Sequence, residues 1–535
     1  MGYLKDSIAG YISRNKKWVI FLAVCLIVIF LSSMIASGIQ SDGWKVDVTD
    51  LRDATNKGTL VTVSGEEKDV NGKVVSGILF KPDTATADNP APGVVLTHGY
   101  LNNREMQLQN AIELARRGFV VLAVDREGHG NYENTGDTNA MMATNGLYDS
   151  AKYLYNLDYV DKEKIGISGH SMGGYTTAMT LMSDSTMAGG LGIISAGLMQ
   201  SWDTFILADS DVSVGFLKSQ DDEFFFAKGG LSREWLSSDT AKDFVGSDEN
   251  VVNGAIYVNG VITEVAGGAA APSAFRAIYE IPGVHPQVHY SVDGAEAVVN
   301  FFYTAFGTPE GREYIAEGNQ TWWVKEMFSF IGMIALFACI FPFVSLLLAT
   351  PLFRSLSRKQ TVEILPAGEV AEGTVIADGG SAASVSGAGL PATNATPVAC
   401  AATLDEPKPL KGVWKNITYW LGAVGIMLFS GFIIHDVCTE YGGYVFPNTQ
   451  LYPQDTTNWV AIWAVVVALF SLAVILFFWL LNAIVYSAKY KENAKQYIEN
   501  PFAAAKIQGG FGNFAKTFLL AAIVVFFLYL VSFIN

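Results

Sequence analysis

The sequence predicts an α/β fold, with a mostly parallel central sheet and helices on both faces, joined to all-α apolar helices. Three observations carry that expectation. Short β-branched runs alternate with segments of helical period between about residues 60 and 307. One run ends in a serine set among glycines, Gly169-His-Ser-Met-Gly-Gly174, directly before a helical pattern. Long apolar stretches without charge flank this region on both sides.

The elements follow in order. Val61-Thr-Val-Ser and Val74-Val-Ser-Gly-Ile-Leu-Phe read as strands paired across an Asn71-Gly72 turn. Gly93-Val-Val-Leu-Thr is a buried strand, Arg104 to Arg117 a helix closed by Gly118, and Phe119 to Val124 a strand. Met141 to Leu157 is helical, Ile165-Gly-Ile-Ser a strand, and Met172 to Met182 a helix. Leu191 to Ser195, Val212 to Leu217 and Phe275 to Ile281 are strands, and Asp293 to Phe306 is the closing helix. Strands alternating with helices indicate parallel pairing, because a crossover is needed between parallel neighbours.

At 535 residues the chain exceeds one ordinary domain. Five apolar runs read as membrane spans: Trp18–Ile39, Met327–Ala349, Ile417–Cys438, Trp459–Val485 and Phe514–Phe533. The first follows Lys5, Arg14, Lys16 and Lys17 and is longer than the apolar core of a signal peptide, about 7–15 residues, so it reads as an uncleaved anchor. Arg354, Arg358, Lys359, Lys408, Lys411 and Lys415 lie between the second and third spans. Lys489, Lys491, Lys495, Lys506 and Lys516 lie at or between the fourth and fifth. The segment Thr439 to Asn458 has neither Lys nor Arg. The positive-inside rule then places the N-terminus inside and residues 40–321 outside, as a multi-pass protein of the cell membrane. Residues 354–412, centred on the Gly/Ala/Ser/Thr/Val-rich Thr361–Leu404, read as a cytoplasmic linker without structure. His435-Asp436 is a polar pair near the outer end of the third span, where solvation is the simpler reading.

Composition narrows the chemistry. A formal charge of −16 argues against nucleic acid as a partner. None of the four cysteines, Cys25, Cys339, Cys400 and Cys438, falls within 40–321, so that domain relies on its core rather than on disulfides. No Cys/His cluster has zinc spacing, and the serine chemistry below needs no cofactor.

Active groups on a parallel sheet sit at the carboxyl ends of its strands. A tight strand-to-helix turn at Ser171 strains its backbone and lifts its hydroxyl clear, and side chains on the neighbours would clash, which explains the glycines. The helix that follows points its N-terminus at the serine and favours negative charge there. A glycine-flanked serine alone is a weak signal; the strand before it and the helix after it strengthen it.

Thr97-His-Gly-Tyr100, Asp125-Arg-Glu-Gly-His-Gly130 and Gly169-His-Ser-Met-Gly-Gly174 resemble the α/β-hydrolase superfamily in order and in placement on strand ends, over about residues 60 to 307. The resemblance implies the α/β-hydrolase fold, a nucleophile at Ser171 and an oxyanion hole from the backbone N–H groups of Met172 and Tyr100. It also implies the chain order serine, acid, histidine. His98 and His129 read as structural braces, and His170, on the turn itself, is wrongly placed for a base. His285 follows the last strand through Pro282-Gly-Val and is the preferred base, with His289 its rival. Asp222, in Gln220-Asp-Asp-Glu-Phe224, matches the family's acid position best; Asp221 and Asp203 are the alternatives. Residues 224–273 form an insertion with three successive phenylalanines, Trp235 and a hairpin at Asn259-Gly260, expected either to roof the site or to be a loop with its own small core.

The expected activity is hydrolysis of carboxylic esters or thioesters on a small-molecule or lipid acyl substrate. Amide hydrolysis and acyl transfer use the same groups. A reading of another class is a binding lobe without catalysis, attached to a membrane transporter or sensor.

Overall fold

A computed structural model describes residues 10–54, 60–63, 66–69, 75–100, 102–130, 132, 144–202, 211–223, 232–357, 373–376, 382–385, 413–432, 455–491 and 510–534. Eight strands make the main sheet: β1 Val46–Ala54, β2 Val75–Pro82, β3 Ala91–Thr97, β4 Val120–Val124, β5 Val160–His170, β6 Ala196–Gln200, β7 Ser213–Ser219 and β8 Arg276–Ile281. Their order is β1-β2-β4-β3-β5-β6-β7-β8. From β4 to β8 all neighbours are parallel, while β2 runs antiparallel to both β1 and β4. This is the α/β-hydrolase fold expected from the motifs.

The strands β3, β4, β6 and β7 are buried along their whole length, as a sheet covered on both faces requires. One face is covered by helices α2 (Leu147–Tyr155) and α3 (Met172–Asp184), through Leu147, Ala151, Leu154, Ala178 and Leu181. The other packs helix α1 (Leu108–Ala115) and helix α5 (Val292–Phe306), through Ile112, Val298, Phe301 and Phe302. Gly166 and Gly215 lie under those rings; a Cβ at Gly166 would stand 2.4 Å from Phe302 and one at Gly215 2.8 Å from Phe301.

Several elements differ from the sequence reading. Val61-Thr-Val-Ser does not pair across Asn71-Gly72. Leu60–Val63 pairs instead with Glu66–Asp69, and β2 pairs with β1, whose alternating Val-Asp-Val-Thr-Asp pattern gives a weak strand signal. The turn itself lies outside the described residues. The helix expected from Met141 begins at Leu147, where Gly146 sets the start with φ 85°; Met141 to Ala143 lie outside the described residues. The strand expected at Leu191–Ser195 lies at Ala196–Gln200. Asp184 explains the shift: its backbone carbonyl accepts from Gly192 at 2.8 Å and its carboxylate from Ile194 at 2.7 Å, so this apolar run is tied to a helix end rather than to a ladder.

The described residues of the insertion join the sheet edge and the main core. Ile256–Val258 and Val261–Ile262 form the hairpin expected at Asn259-Gly260, with positive φ at both turn residues, 51° and 77°. Its first strand pairs with β8 and extends the sheet edge. Trp235 and Phe244, the latter from helix α4 (Asp239–Val245), pack on Phe216 of the main core. Phe224 to Phe226 lie outside the described residues.

Among the described residues four helices are long and apolar enough to cross a membrane: Lys16–Gln40, Trp322–Leu348, Ile462–Val485 and Gly512–Ser532. At the third expected span the structure describes a helix over Val413–Phe432, whose apolar stretch includes Trp420–Gly431, and His435-Asp436 lies outside the described residues. Within the expected linker, Gly373–Ile376 pairs antiparallel with Ala382–Val385, so that stretch is not wholly without strands.

Candidate active site

Ser171 is the single residue between β5 and α3. Its backbone is at φ 56°, ψ −117°, a region that costs a non-glycine residue of order 1–3 kcal/mol. Its N–H donates to Gln200 O at 2.8 Å, and its carbonyl accepts from Tyr175 N at 3.0 Å, which fixes the bend at both ends. The glycines around it answer to contact distances. A Cβ on Gly169 would stand 2.5 Å from Gly173 O, one on Gly173 2.7 Å from His98 O, and one on Gly174 2.6 Å from Trp202 Cβ. No side chain fits at any of the three without moving backbone or β-carbons.

Met172 opens α3, so its N–H has no carbonyl four residues back within the helix. Tyr100 lies on the loop after β3, and a Cβ on the preceding Gly99 would stand 3.2 Å from Ser171 Cβ. The loop carrying Tyr100 therefore runs against the elbow.

His98 fixes that loop from below. It is fully buried; Arg126 N donates to its Nε2 at 3.0 Å, so Nδ1 carries the proton and donates to Gly99 O at 2.8 Å. Burial holds its pKa well below the usual histidine value, consistent with a neutral brace. His129 sits 5.2 Å from it, ring centre to ring centre.

His285 lies four residues past β8, on the short 3-10 turn His285–His289. Its Nδ1 is 2.8 Å from Asp222 Oδ1 and 3.0 Å from Oδ2. Only Nδ1–H can donate to a carboxylate, so Nε2 is left with a lone pair, the form a general base needs. Asp222 is 1% exposed, in the loop after β7. Asp221, its neighbour, points the other way and forms a two-pronged pair with Arg233, at 2.5 and 2.7 Å. Asp203 lies outside the described residues.

His289, the rival base, is buried with neither ring nitrogen hydrogen-bonded among the described residues. Desolvation, with His285 nearby, pushes its pKa down to about 4. His170 is also buried, and its ring centre lies 4.7 Å from that of His285 and 4.1 Å from that of His289. Its Nε2–H donates to His285 O at 2.9 Å, which ties the elbow to the loop of His285. Its pKa is well below normal, first through burial and then through the two neighbouring imidazoles.

Sequence reasoning missed three supporting groups. Glu223 accepts from His285 N at 3.2 Å, Lys218 is buried and pairs with Glu280 at 2.6 Å, and Lys218 also donates to Ser232 O at 2.9 Å. The apolar pattern of β7 gives no sign that its lysine points into the fold. No cluster of three or more metal-ligating side chains occurs among the described residues.

By strand order and by this elbow, the domain has the α/β-hydrolase fold, with a serine, a histidine and an aspartate gathered at the carboxyl edge of its sheet. The sequence profile of the prolyl oligopeptidase family matches residues 105–213. No match was found among the curated proteins. Among solved structures the chain is similar to the esterase Est1E of Butyrivibrio proteoclasticus bound to ferulic acid, at 15% identity and TM-score 0.30, covering 46% of this chain and 98% of that one. It is similar to a hyperthermophilic esterase of the archaeon Pyrobaculum calidifontis, at 14% identity and TM-score 0.29, covering 53% and 88%. A dienelactone hydrolase-like promiscuous phosphotriesterase from metagenomic libraries is similar at 14% identity and TM-score 0.30, covering 49% and 100%.

Proposed function

We propose that the protein is a membrane-anchored serine hydrolase that cleaves carboxylic esters or thioesters through an acyl-enzyme on Ser171. The observation that carries this reading is the 2.8 Å contact between His285 Nδ1 and Asp222, on a loop tied to the strained turn of Ser171 through His170.

In this reading the Ser171 hydroxyl attacks the acyl carbonyl while His285 Nε2 takes its proton. Asp222 holds the ring and stabilises the imidazolium that forms. The N–H groups of Met172 and Tyr100 stabilise the oxyanion, each by about 3 kcal/mol judged from comparable deletions. His285 then gives its proton to the departing alcohol or thiol. Water, activated by the same imidazole, releases the acid and restores Ser171. The four long apolar helices support anchoring, and the charge placement along the chain favours an extracytoplasmic domain.

A fluorophosphonate probe applied to membranes carrying the full chain is expected to label it, and Ser171→Ala to abolish labelling. Labelling that persists in the variant rejects the assignment. The match to the prolyl oligopeptidase family favours a second reading, amide or peptide hydrolysis by the same groups. Release of amine from a peptide amide, measured beside ester turnover, separates the two.

A further inference from the structure

Arg126 stands two residues past β4, at the same edge of the sheet as the elbow. Its backbone N–H is held by His98 Nε2, and the next residues after His98, Gly99 and Tyr100, form the loop that meets Ser171. The side chain is 3% exposed. Its Nε and Nη1 are sealed from solvent and have no hydrogen-bond partner among the described residues, while Nη2 is not among the sealed nitrogens. Among the described residues no carboxylate lies within ion-pair distance of it. Asp125, beside it in sequence, is committed to Ser76 Oγ and to Arg104 N.

The other buried arginines set the contrast. Arg116 and Arg117 share Glu113 and reach main-chain carbonyls near Asn319. Arg104 pairs with Asp50, and Arg276 donates to Val212 O and Phe275 O. Only Arg126 holds a buried guanidinium without a counter-ion or an acceptor among the described residues. Burying a cation is costly unless it is paired, and a guanidinium presents a planar fork that matches a carboxylate. Burial alone already draws its pKa down to about 10.

We infer that Arg126 is an anion-binding subsite beside the oxyanion loop, and that the substrates are acyl compounds carrying a carboxylate. This rests on the serine-hydrolase reading of Ser171. On this inference the substrate is a half-ester of a dicarboxylic acid, with its ester carbonyl at Ser171 and its free carboxylate at the guanidinium.

The test compares two nitrophenyl esters with acyl groups of equal length, the neutral butyrate and the succinate half-ester, on the full chain in detergent. The wild type is expected to show the lower KM for the half-ester. Arg126→Gln is expected to raise the half-ester's KM, relative to the butyrate's, on the order of 10- to 100-fold, as loss of a charge-assisted pair implies. Arg126→Lys, which keeps the charge, restores part of the preference. Fluorophosphonate labelling of Ser171 reports that the elbow is intact; if Arg126→Gln does not label, the Lys variant decides, a reduced preference supporting the subsite and an undiminished one refuting it. A wild type that does not prefer the half-ester, or a preference that survives Arg126→Gln, overturns the inference and leaves the hydrolase reading standing. Absence of any Ser171-dependent turnover of either ester removes both.

Discussion

Asp222 and Asp221 are adjacent in sequence and opposed in space. Asp222 is buried against His285 Nδ1 at 2.8 Å, and Asp221 is exposed and paired with Arg233. The two carboxylates therefore have separable effects. Asp222→Asn keeps the shape and removes the charge that fixes the tautomer, so kcat is expected to fall on the order of 10⁴-fold, as for comparable triads. Asp221→Asn loses only an exposed surface pair, which contributes little, and ester turnover is expected to stay close to wild type. Steady-state kinetics on the two variants check this; a similar loss in both would remove Asp222 from its role.

His170 makes a different kind of contribution. Its ring touches no reacting atom in the proposed mechanism, yet it donates to the carbonyl of the base at 2.9 Å. Replacing it with leucine removes that buried hydrogen bond, at a cost of about 1–3 kcal/mol, and loosens His285 relative to the elbow. The expected result is a slower second-order rate of fluorophosphonate labelling with a shifted pH profile. His170→Gln offers an amide N–H to the same carbonyl and is expected to recover part of the rate. Equal rates in the Leu and Gln variants would reduce His170 to packing.

Gly173 tests the steric account of the turn. In an exposed helix Gly→Ala stabilises by about 1 kcal/mol. Here the added Cβ would meet two main-chain oxygens, His98 O at 2.7 Å and Thr97 O at 2.8 Å. Crowding of this kind typically costs about 1–3 kcal/mol, so Gly173→Ala is expected to lower Tm and slow labelling together. A raised Tm would show that the loop after β3 yields easily.

Local features were the legible ones. The elbow, its glycines and the apolar strands around it were readable because each depends on neighbours in sequence. The hairpin at Asn259-Gly260 was readable for the same reason. What escaped depended on distant partners. Asp184 captures the run Leu191–Ser195, and no propensity reports that; Val46–Ala54 is a strand because β2 needs a neighbour on its open side. Asp222 was separable from Asp221 only by resemblance, since both are carboxylates on one loop. Lys218 and Arg126 look like ordinary charges in the sequence, and only the fold reveals that both are buried, one paired and the other without a partner among the described residues.

Acidification probes the histidine cluster as a whole. His289 titrates at about 4 in the folded protein, below its usual 6.5, and burial holds His98 and His170 well down as well. Between pH 6.5 and 4 the unfolded chain takes up a proton at His289 that the folded chain refuses. Stability is therefore unaffected by this group above about pH 6.5 and falls as pH drops through that window. At 1.36 kcal/mol per pKa unit the full loss from His289 is about 3 kcal/mol. Thermal melts of the detergent-solubilised chain at pH 7 and pH 4.5 are expected to show a lower Tm in acid. His289→Leu is expected to narrow that gap, because leucine fills the space beside His170 with nothing to protonate. A pH dependence identical in wild type and variant would mean that His289 keeps a proton-accepting route to solvent, and that its neutrality is not what holds the three rings together.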